Sequence, residues 1–340
     1  MAKQEKEVQT GFFQSIKSQL AKHVSLVDEV ADCLNLSPDS AYRRIRGETS
    51  LSMLEIVEIC RHFDVSFDQL TGQKNNLVSF EYRPLNEASF NFLQYLQHIE
   101  ENLKIIAAAQ DKEVVYMANE IPLFHLMHAP ELASFKLFFW QKTILDFSEF
   151  RSRKFKLYEI NEQVNQLSRS VRDLYIEIPS IEVYHSETID TTLKQIEYYV
   201  EAGFFELHEE ALLLLDRVSE VMEHIRLQCE QGYKFRKSRK PVSENPKGGS
   251  YTVFHNEVLH MDNVILVKMG QRYLSFLTSN GLNSLLTKSE LFYEEYYKAL
   301  KVLQGKSTLI SGSSEKERNK VFITYQRKIE ALKKKLSLLQ

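Results

Sequence analysis

A short cluster of arginines, Arg43, Arg44 and Arg46, has residue types and spacing that could do recognisable chemistry. The planar guanidinium group of arginine can donate two parallel hydrogen bonds to O6 and N7 of guanine, or it can clamp a phosphate. Asp39 and Ser40, about one helical turn before Arg43, could contact neighbouring base edges or phosphates. The cluster therefore predicts contacts with nucleic acid.

Helix-capping residues bracket this cluster. Ser37 is suited to cap a helix N-terminus, and Pro38 fits the first helical position, where its missing N–H is harmless. Gly47 can adopt the left-handed conformation that ends a helix. The spacing predicts a short helix over residues 38–46 with the three arginines along its length.

Similar signals surround this helix. A first helix is predicted over residues 12–22, and Ser25 would cap a second one over residues 26–34. Ser52 and Glu55 form a capping box for a fourth helix, and residues 65–70 begin a short fifth. The apolar positions expected on the inner face of the fourth helix are Leu54, Ile56, Val57, Ile59, Cys60 and Phe63.

The arrangement resembles, over about sixty residues, the helix-turn-helix of phage repressors and Cro, the family often called XRE-like. The resemblance implies that the third helix reads double-stranded DNA. Since the family usually has an apolar residue where Arg44 stands, Tyr42 and Ile45 are expected to supply that core contact here. A shift of one residue in register exchanges Arg43 and Arg44 as the base reader, and Asp39 and Ser40 form a similar pair. The DNA-binding residues implied are Ser37, Asp39, Ser40, Arg43, Arg44 and Arg46.

Composition places this region in a folded, mainly helical chain. The 340 residues are 43% hydrophobic and 26% charged, with only 11 Gly and 7 Pro to interrupt long segments. The net charge is −3, and residues 1–72 hold eight Lys and Arg against eleven Asp and Glu. Any contact with DNA must therefore come from a local patch, because the region has little general attraction for phosphate.

The domain organisation follows from polarity and periodicity. We expect a five-helix domain over residues 1–72, a linker over residues 73–86, and a regulatory or oligomerisation domain over residues 87–340. The last is predicted to be mostly helical with a small antiparallel sheet, so the fold class is mainly α. Within it we expect an exposed basic loop (233–250), a β-meander (251–278) with a turn at Gly270, and a C-terminal helix (314–338).

The C-terminal helix has an apolar stripe with alternating spacings of four and three residues. Such a stripe can form a coiled-coil seam between two copies of the chain, or it can pack on its own domain. Spacing alone favours neither. The capping box expected at the start of this helix pairs Ser314 with Glu317. The stripe consists of Val321, Tyr325, Ile329, Leu332 and Leu336.

Catalytic and metal-binding patterns are missing from the sequence. His125 and His128 are three residues apart, but no third ligand follows at a fixed offset, so core or surface histidines are favoured over a metal site. No nucleophile elbow, dinucleotide fingerprint or complete phosphate loop occurs. We therefore expect a protein that is not an enzyme, with no catalytic residues, metal or cofactor.

Cellular context is indicated by cysteine usage and hydropathy. The three cysteines are far apart in the sequence, which is typical of a reducing cytoplasm, and no apolar stretch is long enough to span a membrane. We expect a cytoplasmic transcriptional regulator that binds specific DNA sites as a homodimer and responds to a small-molecule or peptide effector. Two other classes fit the sequence: a scaffold or antitoxin-like partner-binding protein, and an enzyme of unknown chemistry fused to an autoregulatory DNA reader.

Overall fold

The structure is a computed structural model that describes residues 3–20, 24–63, 65, 78–85, 87, 90–159, 161–236, 247–257, 263–279 and 281–338. The chain divides into two compact units, Met1–Ser79 and Phe80–Gln340. Of the residues expected to form the linker, 73–77 and 86 lie outside the described ranges. Phe80 and Glu81, which belong to the second unit, contact the Phe292 ring and the backbone of Leu286, respectively.

The first unit contains α1 (Lys3–Gln19), α2 (Leu26–Leu34), α3 (Pro38–Ile45) and α4 (Met53–His62). The Ser25, Ser37 and Ser52 side chains cap α2, α3 and α4 as expected. Helix α1 begins earlier than residue 12, where the sequence predicted it. Residues 66–70 of the expected fifth helix lie outside the described ranges. The core is formed by Phe12, Phe13, Ile16, Leu26, Val30, Ala31, Ala41 and Ile59.

The second unit is built on a mixed sheet that contains seven strands among the described residues. Its order is β6-β5-β4-β1-β2-β3-β7. Strands β1, β2 and β3 run parallel, while β4, β5, β6 and β7 are antiparallel to their neighbours. The strands are β1 (Lys112–Met117), β2 (Ser180–His185), β3 (Tyr251–Asn256), β4 (Val264–Met269), β5 (Arg272–Ser279), β6 (Asn283–Thr287) and β7 (Thr308–Leu309).

The predicted fold class, mainly α with a small antiparallel sheet, is therefore wrong. The turn at Gly270, with φ of +59°, joins β4 to β5 as expected. Strand β3 does not continue into this hairpin, because it pairs with β2 and β7 on the other side of β1. Strand propensity located β3 correctly but could not specify its partners, which lie far away in the sequence.

Helices cover both faces of the sheet. The helices of this unit are α5 (Phe92–Ala108), α6 (Leu123–Leu126), α7 (Pro130–Phe139), α8 (Glu162–Glu177), α9 (Asp190–Glu201), α10 (His208–Gln231), α11 (Glu290–Gln304) and α12 (Glu315–Ser337). The main core lies between one sheet face and α5 to α10 with α12, whereas α11 packs on the opposite face. Among the described residues no helix is both long and apolar enough to span a bilayer.

The C-terminal helix α12 packs within its own unit. All five residues of its apolar stripe are buried in the main core, so the stripe is not a seam between two copies. The Ser314 side chain makes no capping hydrogen bond in the described structure, so the predicted capping box is wrong. Burial of the stripe, rather than a capping box, therefore accounts for the stability of this helix.

Candidate nucleic-acid interface and a buried polar cluster

Local interactions fix the start and the end of α3. The Ser37 hydroxyl accepts a hydrogen bond from the Ser40 backbone N–H at 3.3 Å and donates one to the Ser40 hydroxyl at 2.9 Å. Gly47 follows the helix with φ of +66°, and a Cβ at this position would lie 2.9 Å from Cγ of Lys6. The chain therefore turns away from α3 at a position that favours glycine. The hydroxyls of Ser37 and Ser40 thus form hydrogen bonds within the first turn of α3.

The outward face of α3 displays charged and aromatic side chains. The Arg43 and Arg46 side chains are each 58% exposed, and Asp39 is exposed as well. Tyr42 is also 46% exposed, and the Arg46 guanidinium lies 5.6 Å from the centre of its ring. The expected core contact from Tyr42 is therefore wrong. Ile45, the other expected residue, does pack against the core, where Ala41 is fully buried.

Arg44 points toward α4 and is held there. Its Nε donates to Oε1 of Glu55 at 2.9 Å, and its Nη1 donates to the Ser40 carbonyl at 3.3 Å. Burial raises the pKa of Glu55, but hydrogen bonds from Ser52 and the charge of Arg44 outweigh it, so the pKa is lowered. Glu55 thus stays ionised and binds both the N-terminus of α4 and Arg44. Of the two adjacent arginines, Arg43 is the one available to solvent.

Gln9 joins α1 to both ends of the segment between α3 and α4. Its Nε2 donates to the carbonyls of Arg44 at 2.6 Å and Thr49 at 2.8 Å, and its Oε1 accepts from the Leu51 N–H at 3.1 Å. The side chain is buried. Sequence reasoning missed this residue, because a single glutamine in a polar helix carries no signal of distant backbone partners.

Glu48 lies between the two exposed arginines. Its Oε2 is 3.9 Å from Nε of Arg43 and its Oε1 is 3.4 Å from Nε of Arg46. Both pairs are open to solvent, so each contributes little to stability. The carboxylate nevertheless reduces the positive potential of this face.

Part of α4 is apolar and faces solvent. Met53 and Leu54 are each 76% exposed, and Val57 is 37% exposed. The sequence placed Leu54 and Val57 on the inner face of the helix, which is wrong. Ile59 is fully buried, and Cys60 and Phe63 pack against the core, so these three of the predicted positions do lie on the inner face.

The second unit contains a group of buried polar residues around a single carboxylate. Both carboxylate oxygens of Glu182, in β2, contact Nε2 of His125 at 2.9 and 3.0 Å. The hydroxyls of Tyr175, Tyr184 and Tyr251 also donate to this carboxylate. We call these five residues the Glu182 cluster. They come from α6, α8, β2 and β3, and none is more than 2% exposed.

The hydrogen bonds of the Glu182 cluster fix its protonation. Burial raises the pKa of Glu182, but the charge and hydrogen bond of His125 and the hydrogen bonds of Tyr175 and Tyr184 lower it to about 2. Burial, followed by the charge of Glu182, raises the pKa of all three tyrosines. The carboxylate therefore stays ionised, and the tyrosines stay protonated donors.

Lys234 lies beside this cluster and is also buried. Its Nζ is 3.7 Å from the centre of the Tyr175 ring and has no hydrogen-bond partner among the described residues. Burial lowers the pKa of Lys234 to about 7, although the charge of Glu182 acts in the opposite direction. The sequence placed Lys234 in an exposed basic loop, which is wrong for this residue. Residues 237–246 of that loop lie outside the described ranges.

The two histidines with a suggestive spacing have different surroundings. His125 donates to Glu182, while the His128 ring lies 4.5 Å from that of His224. No group of three or more His, Cys, Asp or Glu side chains within the described ranges could hold a metal ion. Sequence reasoning singled out His125 but not Glu182, since a lone glutamate in an unrecognised strand gives no pattern.

A groove of about 430 Å³ runs between α10 and α12. Met222 and Phe322 are buried at its floor, and Arg226 lies at its edge in ion pairs with Glu223 and Glu230. Comparisons of the chain with protein-family models, with curated proteins and with solved structures found no match.

Proposed function

We propose that the protein is a sequence-specific DNA-binding transcriptional regulator of the phage-repressor type. The outward face of α3 is the observation that carries the proposal. Arg43 and Arg46 project into solvent from a short helix whose ends are fixed by Ser37 and Gly47. A rigid helix with exposed arginines suits the major groove, where arginine discriminates guanine from the other bases.

The contacts behind α3 support the same proposal. Gln9 and Glu55 hold the backbone and the Arg44 side chain, so the outward residues are displayed from a fixed support. Base recognition needs such fixed placement, since a displaced donor loses its hydrogen bonds. Arg43 and Arg46 are assigned to base edges or phosphates, and Asp39 to a neighbouring base. Ser37, Ser40 and Arg44 are assigned to positioning α3.

The second unit is proposed to sense an effector or to assemble the oligomer. A reader of this size needs no larger partner unit merely to occupy DNA, and the groove between α10 and α12 offers space for a small effector. We further propose that the chain acts in the cytoplasm as a homodimer on two half-sites about 34 Å apart. The stripe on α12 is excluded as the dimer seam by its burial.

The experiment is selection of DNA fragments from the source genome by the full chain at near-physiological salt, followed by sequencing. Arg43→Ala is the test variant, and Arg61→Ala, which removes an exposed arginine of α4, is the matched control. We expect one enriched motif and a loss of roughly ten- to hundredfold in affinity for Arg43→Ala. Arg61→Ala should bind like the unchanged chain.

The outcome also separates the other function classes. A folded Arg43→Ala variant with unchanged affinity for the motif would contradict the assignment of α3. Absence of any enriched fragment, together with capture of a protein through the same surface, would favour a partner-binding module. A full chain that sediments as a monomer at micromolar concentration, with and without the selected DNA, would contradict the homodimer.

A further inference from the structure

The backbone N–H and carbonyl of Lys234 are hydrogen-bonded to two consecutive glycines. The Lys234 N–H donates to the Gly249 carbonyl at 2.9 Å, and the Gly248 N–H donates to the Lys234 carbonyl at 2.8 Å. The Gly249 N–H donates in turn to the Ile176 carbonyl at 2.8 Å. We call residues 232–236 and 247–251 the loop base, because they join the two ends of the basic segment between them.

The loop base fits closely against the end of α8. A Cβ at Gly248 would lie 2.4 Å from the Ile176 carbonyl oxygen, and one at Gly249 would lie 2.4 Å from the Ile178 carbonyl carbon. Only glycine permits this approach. The closed arrangement places the Lys234 side chain inside the unit, with its Nζ on the face of the Tyr175 ring.

A lysine is an unexpected choice for this buried place. An amine without a hydrogen-bond partner is costly to bury, and its charged form costs far more than its neutral form. An apolar side chain of similar length would fill the same volume without this cost. The face of the Tyr175 ring and the charge of Glu182 favour the ammonium ion, but burial outweighs them. The closed loop base therefore favours the neutral amine more than water does.

We propose that Lys234 is a proton-operated latch: the neutral amine favours the closed loop base, and protonation shifts the equilibrium toward an open loop base with Lys234 in solvent. The signal is proton concentration near neutrality. Opening frees Arg236 and Lys247, the described ends of the basic segment, from the closed loop base. This device is independent of the proposed DNA reader.

Other titratable groups surround Lys234 and must be separated from it. Tyr175 lies on α8, Glu182 and Tyr184 on β2, Tyr251 on β3, and His125 on α6. Cys229 and His224 lie on α10. Burial raises the pKa of Cys229 and of the tyrosines, and Glu182 has a pKa of about 2, so none of these changes charge between pH 6 and 9. The Lys234 variants described below separate the contribution of Lys234 from that of every other group.

The test is hydrogen exchange of the Lys234, Gly248 and Gly249 amides in the full chain from pH 6 to pH 9, expressed as protection relative to the unstructured rate. With a pKa of about 7 when closed and 10.5 when exposed, protection should fall about fiftyfold from pH 9 to pH 7 and level off below. The Val115 amide, in the centre of the sheet, should keep its protection and so exclude global unfolding.

The matched variants are Lys234→Met, which keeps the length of the side chain, and Lys247→Met, which removes an exposed lysine of the same loop base. Lys234→Met should be protected at every pH, and Lys247→Met should behave like the unchanged chain. If Lys234→Met does not fold, Lys234→Gln replaces it in the comparison. Flat protection in the unchanged chain, equal loss at Val115, or a pH dependence that persists without Lys234 would each overturn the proposal.

Discussion

Two charged sites, one in each unit, lie in opposite environments. Arg43 and Arg46 on α3 are open to water, and the Glu48 carboxylate is their nearest acid. Glu182 is sealed in the main core and has a complete set of hydrogen-bond donors. Exposed charges can exchange partners at little energetic cost, whereas a buried charge is tied to the groups that satisfy it. The first arrangement suits recognition, and the second suits a fixed structure.

The largest expected effect is in the buried region. Glu182→Gln replaces an oxygen acceptor by an amide that donates, so some of the four donors lose their partner. We expect a loss of about 3–5 kcal/mol in the unfolding free energy of the second unit. Urea unfolding followed by fluorescence of Trp140, the single tryptophan of the chain, reports this unit selectively.

The dependence of stability on acid pH provides a second measurement on this variant. The matched control is Glu294→Gln, which replaces an exposed glutamate of the same unit. The pKa of Glu182 is lowered from 4.5 to about 2, so its contribution to stability is complete above pH 4.5 and is lost as the pH falls toward 2. Glu182→Gln should lack this part of the acid dependence, and Glu294→Gln should retain it. Equal stability of the two variants would show that the buried carboxylate is not tied to its donors.

The next effect concerns the support of α3. Gln9→Ala leaves two carbonyls and the Leu51 N–H without their partner, which should lower the unfolding free energy of the first unit by about 2 kcal/mol. DNA affinity should fall with it, because α3 loses its fixed attachment. Hydrogen exchange of the Val30 and Ile59 amides measures the stability. Exposed Gln14→Ala on the same helix should change neither quantity.

A smaller effect distinguishes the adjacent arginines. Arg44→Ala should destabilise the first unit by about 1 kcal/mol, because the partly buried bond to Glu55 is lost. Arg43→Ala should leave its stability unchanged, since the Arg43 side chain is mostly exposed. The same exchange measurement checks both variants. Equal destabilisation by the two substitutions would contradict the distinction between a positioning and a reading arginine.

The smallest effect is a gain. Glu48→Gln removes the acid between Arg43 and Arg46 without changing its shape, so DNA affinity should rise by about twofold to fivefold and respond more steeply to salt. Binding isotherms at three salt concentrations measure both changes. Glu58→Gln, on the exposed side of α4, is the control. Weaker DNA binding after Glu48→Gln would place this face away from the phosphates.

Predictability from sequence differed between the two regions for a physical reason. The α3 region is defined by local signals. The side chains of Ser25, Ser37 and Ser52 each accept a hydrogen bond from the backbone N–H three residues later and so cap a helix. The direction of the Arg44 side chain could not be predicted from local signals, because it depends on Glu55 in the next helix. The sequence accordingly predicted the helices but left the register of the arginines open.

The second unit depends on contacts between distant parts of the chain. Strand β2 was missed because Glu182 interrupts its apolar pattern, although the residue is buried. The Glu182 cluster then joins residues from position 125 to position 251, which no spacing rule connects. Hydrophobic periodicity found the stripe on α12, but only the packed structure shows which surface it covers.

The position of β1 in the sheet has a consequence for synthesis. β1 is complete at Met117, yet its two neighbours are β2 and β4, and β4 ends at Met269. Roughly 150 further residues must be made before both edges of this strand are paired, which takes about eight to thirty seconds at about 5–20 residues per second. Until β4 is made, the nascent chain exposes at least one unpaired edge of β1, so its yield should depend on chaperones and fall when translation is slowed after β1.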